Sequence, residues 1–359
     1  MSRGLPPLLA HLLQSGAVVD GETGRPLHFG DAGRELEATL RGSVFVDRSQ
    51  LGRVRATGKD VLDLLHRLTT ADLRSLPAGG GRSAVVTTAK GRIVDRIFVH
   101  NLGEGGILLV AGDGMGEKLV AHFRRSIFRE EIEIEDATTA LCQLSLLGPG
   151  AREGAAAAGI PVPVSMGSTL WNVAGGSVHV LGEDGFSGEG LSLIFPAAAG
   201  AAVWTELEPR LLRAGFLGCG DLAAEGWRVL RGLPASGLEL TEAHNPLEAG
   251  LWDAVSFAKG CYVGQEVVAR IRTYDKLSRS LVGLEAAEGA WVPERGAGLF
   301  REGRESGAIT SALVPPGRSA AVGLGYVKRE DAEAGTWLSV GAPGSAARMQ
   351  VVGLPFPAE

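Results

Sequence analysis

The sequence predicts an α+β fold that ends in a small antiparallel β-barrel, and three observations carry that prediction. Strand-like and helix-like segments follow one another up to residue 276 without the regular βαβ alternation of a doubly wound sheet. From Leu277 onward the apolar runs become short and are divided by Gly, Pro and Ser clusters, the spacing of a small barrel. Glycine is abundant, 53 of 359 residues, yet shows no short period, which argues for a turn-rich fold over a disordered chain.

The elements follow in order. In VFVDRSQLGRVRATGKDVLDLLHRLTT an alternating strand pattern leads into a helix, with Thr57 and Asp60 as a capping pair and Val61, Leu64, Leu65 and Leu68 on one face. SAVVTTAKGRIVDRIFVHN reads as a hairpin around Lys90 and Gly91. GEKLVAHFRRSIF is a second helix with Leu119, Val120, Phe123 and Ile127 inward, followed by strand-like EIEIEDATTALCQLSLLG. A short Ala-rich helix, strands around SVHVLG and LSLIFP, and helices in AVWTELEPRLLRAG and DLAAEGWRVLRG lead into the extended loop LPASGLELTEAHNPLEAGL. The barrel runs are LSRSLVGLE, GAITSALV, AAVGLGYV, TWLSVG and ARMQVVGLPF. The expected division is an α+β lobe over residues 1–140, a second over 141–276 and the barrel over 277–359, with the first two free to interleave.

Bulk charge narrows the function. A net charge of -6 and a pI near 5.8 give no electrostatic basis for nucleic-acid or membrane binding, so an anionic ligand needs a local basic site. Three widely spaced cysteines, Cys142, Cys219 and Cys261, form no CxxC pair and no disulfide framework. No window reaches the ~18 uninterrupted apolar residues of a membrane helix, and the N-terminal segment lacks a signal-peptide core. A cytoplasmic location is expected.

Several motifs fail on inspection. GDGMGEK lacks the Ser or Thr that follows the lysine of a phosphate-binding loop, and in GFSGEG Glu189 takes the second glycine position of a nucleophile elbow. The seven histidines show no HExxH or paired metal spacing, so no metal site is expected. Asp95 lies in or beside an apolar strand, where a charge is costly without a partner. It reads either as a surface residue paired with Arg96 or as a functional acid. Glu189 reads as an exposed turn acid or as a carboxylate whose small neighbours admit a flat ligand, and Arg228 as a solvated helix residue.

KGCYVGQEVVAR, residues 259–270, is the segment with most chemical content. A packing cysteine needs apolar neighbours, and those of Cys261 are mostly polar or tiny. Gly260 and Gly264 allow close backbone approach or left-handed angles. If GQEVVARIR begins a helix, Cys261 stands just ahead of an N-terminus whose unpaired amides stabilise negative charge, with the Lys259 cation two residues away. The alternative is an inert thiol in a glycine-shaped turn.

Together VDRS with Asp47, TGKDVLDLLHRLTTAD, KGRIVD, GFSGE, WRVLRGLPASGLEL, NPLEAGL and KGCYVGQEVVARI resemble the family of the glycine-cleavage T protein and the folate-binding YgfZ proteins. The likeness is collinear from about residue 30 to about 356, ending in the barrel-like GAITSALV, GLGYV and GLPF. The cysteine block, with Lys259, Gly260, Cys261, Tyr262, Gly264, Gln265 and Glu266, is similar to that of the YgfZ branch.

The resemblance implies a three-lobed fold around an opening that accepts tetrahydrofolate or a one-carbon derivative. It implies that Glu189, after a Gly-aromatic-hydroxyl-Gly turn, holds the pterin, since a carboxylate offers two acceptors to adjacent N–H groups. Arg228 is implied to meet an anionic part of the cofactor. Asp95 falls where aminomethyltransferases carry paired aspartates, but Arg96 takes the second place here. The implied function is support of iron-sulfur cluster assembly or repair, and through it tRNA modification, with Cys261 as the reactive group and iron-sulfur proteins as clients; Asp95 is the catalytic acid of the aminomethyl-transfer alternative. Two alternatives stand beside it: a folate-dependent aminomethyltransferase, and a tRNA-binding module that the net charge disfavours.

Overall fold

The computed structural model describes residues 8–173, 176–184, 189–287, 289, 291–316 and 318–357. The chain divides into two compact units, one of residues 1–84 and 97–225, the other of 85–96 and 226–359.

Among the described residues the first unit carries a two-stranded sheet, Val18–Val19 with Pro26–His28, and two large sheets. One has six strands in the order Ser168–Val173, Gly176–Asp184, Glu189–Pro196, Leu141–Leu147, Val44–Asp47 and Leu217–Cys219. Its last pair is parallel and its other pairs are antiparallel. Leu141–Leu147 is buried along its whole length, and its two polar side chains, Gln143 and Ser145, meet the Ser192 hydroxyl of the neighbouring strand at 3.0 and 3.1 Å. Leu144 and Leu146 pack with Leu191, Leu193 and Val203, Trp204 and Leu207 of the helix Gly200–Arg213. The Phe45 and Trp204 rings meet edge to face at 5.7 Å.

The other sheet orders Gly81–Thr87, Ile93–Asn101, Ile107–Asp113, Leu51–Thr57 and Glu133–Asp136. Its first two strands form the expected hairpin, with Gly91 at φ +67° in the turn. The hairpin passes into the second unit at Val85 and leaves it after Arg96. The helix Val61–Leu68 buries the four predicted residues. Its expected cap is not made: Asp60 occupies the N-cap position without a side-chain cap bond, and its carboxylate accepts from the Glu131 amide at 2.8 Å. The second helix ends at Arg124, which leaves Ile127 in the following loop. An additional helix, Ala32–Arg41, starts from Asp31, whose carboxylate accepts from the amides of Gly33 and Arg34.

In the second unit six antiparallel strands close a barrel in the order Arg279–Ala286, Val322–Lys328, Arg304–Leu313, Gly298–Arg301, Trp337–Val340 and Arg348–Val352. Five match the expected runs, and Gly298–Arg301 is additional. Leu284, Leu299, Ile309, Leu338 and Met349 fill its core. A second cluster joins the hairpin to the long loop and the barrel through Val85, Ile93, Leu240, Leu251 and Tyr326.

Candidate active site

The residues singled out by the sequence gather mainly in the second unit. Asp95 is fully buried, and the hydroxyl of Ser236 donates to its carboxylate. Arg96 is buried as well, at 4 % exposure, so the surface-pair reading of Asp95 and Arg96 is corrected. Both lie in the strand Ile93–Asn101, which is buried along most of its length, and a charge placed there needs internal partners.

Arg228, in the helix Asp221–Leu230, is buried instead of solvated. Its guanidinium donates to Glu239 at 3.0 Å, to the Leu233 carbonyl at 2.6 Å and to the Ser311 hydroxyl at 2.6 Å. Ser311 in turn donates to Glu239 at 2.7 Å, and the Tyr326 hydroxyl donates to the Glu239 carbonyl at 2.9 Å. One segment, Leu233–Leu240, therefore supplies Ser236 to Asp95 and Glu239 to Arg228. Sequence reasoning read this segment as a plain extended loop, and nothing in its composition marked Ser236 or Glu239 as partners of residues distant in sequence.

The loop continues through Asn245-Pro-Leu-Glu248. Asn245 accepts from the amides of Leu247 and Glu248 at 3.0 Å each, and Glu248 accepts from the Asn245 amide at 3.1 Å. This is the reciprocal logic of a capping box, and the Asn-x-x-Glu spacing was the signal for it. His244 stacks on Tyr326 at 3.4 Å, and burial lowers its pKa to about 4.

The cysteine block sits on the hairpin turn. The Thr87 hydroxyl donates to the Val263 carbonyl at 2.6 Å. Gly264, at φ +85°, opens the helix Gln265–Tyr274. Cys261 is exposed, four residues before that helix. Lys259 is buried at 8 % exposure with its ammonium 5.0 Å from the Tyr262 ring centre. Tyr262 is buried too, which pushes its pKa up to about 12. Gln265 accepts from the Tyr262 amide at 3.3 Å, whereas Glu266 is exposed and paired with Arg270 at 2.8 Å. Gly260 faces open space.

Glu189 opens the strand Glu189–Pro196 of the first unit. Its side chain, like the turn 185–188, lies outside the described residues. Cys142 and Cys219 are buried, and burial raises both thiols, Cys142 to about 12. Among the described residues no cluster of three or more His, Cys, Asp or Glu could hold a metal ion, and no helix is long and apolar enough to cross a membrane.

Residues 13–259 match the family model described as the GCVT N-terminal domain, and residues 279–357 that of the glycine cleavage T-protein C-terminal barrel domain. The chain belongs to the glycine cleavage T-protein family. Among members of this family, an aminomethyltransferase of Symbiobacterium thermophilum is 30% identical over 92% of this chain and 90% of its own length. A protein of Arabidopsis thaliana named "Putative transferase", chloroplastic, is 30% identical over 94% of this chain and 78% of its own. The glycine cleavage aminomethyltransferase of Bartonella henselae superposes with a TM-score of 0.87, covering 99% of this chain and 98% of its own at 22% identity. The α+β fold with a closed antiparallel barrel is the T-protein fold.

Proposed function

We propose that this T-protein family member binds tetrahydrofolate or a one-carbon derivative and supports iron-sulfur cluster assembly or repair through Cys261, with tRNA modification depending on it indirectly. The observation that carries this reading is the exposed thiol of Cys261 on a backbone fixed by the Gly91–Gly264 contact and anchored by buried Lys259 and Tyr262. A loop turn with a dispensable cysteine has no need of a buried lysine two residues before the thiol. Folate fits the acids available, because Asp95 is a buried carboxylate and pterins are rich in N–H donors. Asp95 and Glu189 would hold the cofactor, which supplies a one-carbon unit or its acceptor when bound. Arg228 supports the site indirectly: its guanidinium is engaged by Glu239, Leu233 and Ser311, which fixes the loop that carries Ser236 to Asp95. The clients would be iron-sulfur proteins, met in the cytoplasm.

The second reading is folate-dependent aminomethyl transfer, favoured by relatives of that name at about 30% identity over most of the chain. Arg96 weighs against it, since it stands where the resemblance places the second acid of the aminomethyltransferases. Formation of methylene-tetrahydrofolate from an aminomethylated carrier protein separates the two. Folate binding without turnover supports the first reading, and robust turnover reverses the order. Loss of reduced-folate affinity in Glu189→Ala, by calorimetry, tests the pterin site, and unchanged affinity removes Glu189 from it.

A further inference from the structure

One strand of the barrel breaks its own pattern. Ile309 of the strand Arg304–Leu313 lies in the barrel core, and regular alternation would point Ser311 the same way. The pairing with Val322–Lys328 slips instead between Ile309, opposite Gly325, and Ser311, opposite Leu324. Thr310 is the extra residue of a bulge, and its hydroxyl donates to the Leu324 carbonyl at 3.0 Å. Ala312 therefore packs on the core in place of Ser311. The Ser311 hydroxyl meets Glu239, accepting from Arg228 at 2.6 Å and donating to the Glu239 carboxylate at 2.7 Å. A bulge interrupts a ladder, and here the interruption re-aims one hydroxyl.

Glu239 belongs to a knot of main chain at residues 235–240. The amides of Leu238, Glu239 and Leu240 converge on the Ala235 carbonyl at 3.2, 3.1 and 2.9 Å. Gly237, at φ +74°, makes the reversal and donates to the Leu240 carbonyl at 3.1 Å. The Glu239 carboxylate accepts from the Ala235 amide at 3.0 Å. The barrel grips this turn at three points: Ser311 on the Glu239 carboxylate, the Tyr326 hydroxyl on the Glu239 carbonyl at 2.9 Å, and Arg295 on the Gly237 carbonyl. What the turn delivers is the Ser236 hydroxyl, which donates to Asp95 inside the buried strand. A chain of bonds that starts on two barrel strands thus ends on the buried carboxylate and orients it.

We propose that Ser311 and Tyr326 are positioning residues for the folate acid: by fixing the turn at 235–240 they keep Ser236 on Asp95 and so set the affinity for reduced folate. That role rests on the proposed part of Asp95 in holding the cofactor. An oriented carboxylate presents its remaining lone pairs to pterin N–H groups in fixed directions, whereas a loose one must be ordered on binding and loses affinity.

Calorimetric titration of the full chain with tetrahydrofolate tests it. Ser311→Ala and Tyr326→Phe each remove a single hydroxyl, and each raises the dissociation constant about fivefold or more. Ser306→Ala deletes another buried hydroxyl of the same strand, one that donates to Asp331 at 2.7 Å, and leaves the affinity within about twofold of wild type. In Asp95→Asn, which binds more weakly, Ser311→Ala brings no further loss, whereas a merely structural role would weaken both backgrounds alike. Wild-type affinity in Ser311→Ala or Tyr326→Phe, a matching loss in Ser306→Ala, or an equal loss in the Asp95→Asn background overturns the positioning role and leaves Asp95 in the site. Wild-type affinity in Asp95→Asn, or no uptake of tetrahydrofolate by the wild-type chain, overturns the reading of Asp95 and the positioning role with it.

Discussion

Gly264 and Gly91 meet backbone to backbone, and their contact fixes the start of the helix that follows Cys261. A β-carbon on Gly264 would stand 2.6 Å from the Thr88 carbonyl oxygen and 2.9 Å from the Gly91 α-carbon, on a residue at φ +85°. Both the turn of the hairpin and the cysteine block depend on that closeness. Gly264→Ala is expected to lower stability by about 2 kcal/mol or more in urea unfolding. Gly260→Ala, where the added atom meets nothing within 4 Å, should stay within about 0.5 kcal/mol of wild type. Equal losses at the two positions contradict the assigned packing.

The Arg228–Glu239 pair is buried on both sides, at 8% and 0% side-chain exposure. Glu239→Leu leaves the buried guanidinium without its counter-charge and should cost about 3–5 kcal/mol, while Arg228→Leu/Glu239→Leu recovers much of the loss. A double-mutant cycle by chemical denaturation reads the difference. Additive losses would mean that the pair is not coupled.

His100 gives the stability a pH dependence. It is fully buried, neither ring nitrogen has a hydrogen-bond partner among the described residues, and burial lowers its pKa from 6.5 to about 4. Between these values the unfolded chain takes up a proton that the folded one refuses. Stability is therefore lost as pH falls from about 6.5 toward 4, by up to about 3 kcal/mol for this residue. His244, also lowered to about 4, acts in the same direction. His100→Leu should remove the His100 share and cost little at pH 7.5. A variant with the wild-type pH profile rejects this assignment.

Only Cys261 of the three cysteines is exposed. Native protein treated with iodoacetamide should lose one thiol quickly, and the remaining two only after unfolding. Mass spectrometry of the digested protein locates the adduct, and early labelling of Cys142 or Cys219 would contradict the burial of those residues.

Periodicity made most of the fold legible. Val61, Leu64, Leu65 and Leu68 announced a helix face and all are buried, and the short runs after Leu277 announced a closed barrel. What escaped was set by contacts across the chain or by signals passed over. Asp60 spends its carboxylate on the Glu131 amide instead of a cap, which local spacing does not show. Asp31, a plain capping signal, went unread. At the site, the sequence marked Asp95 and Arg228 but not the loop that holds them, because Ser236 and Glu239 acquire their importance only through residues distant in sequence. The exposed position of Cys261, by contrast, followed from its polar and glycine neighbours.

The central claim is that Cys261 acts as a reactive thiol and is not a structural one. The direct test is the activity of an iron-sulfur enzyme in cells lacking this protein, supplied either with the wild-type chain or with Cys261→Ser at equal abundance. The account predicts that wild type restores the activity and that Cys261→Ser does not, although the variant folds and binds reduced folate as wild type does. Full restoration by Cys261→Ser would contradict it.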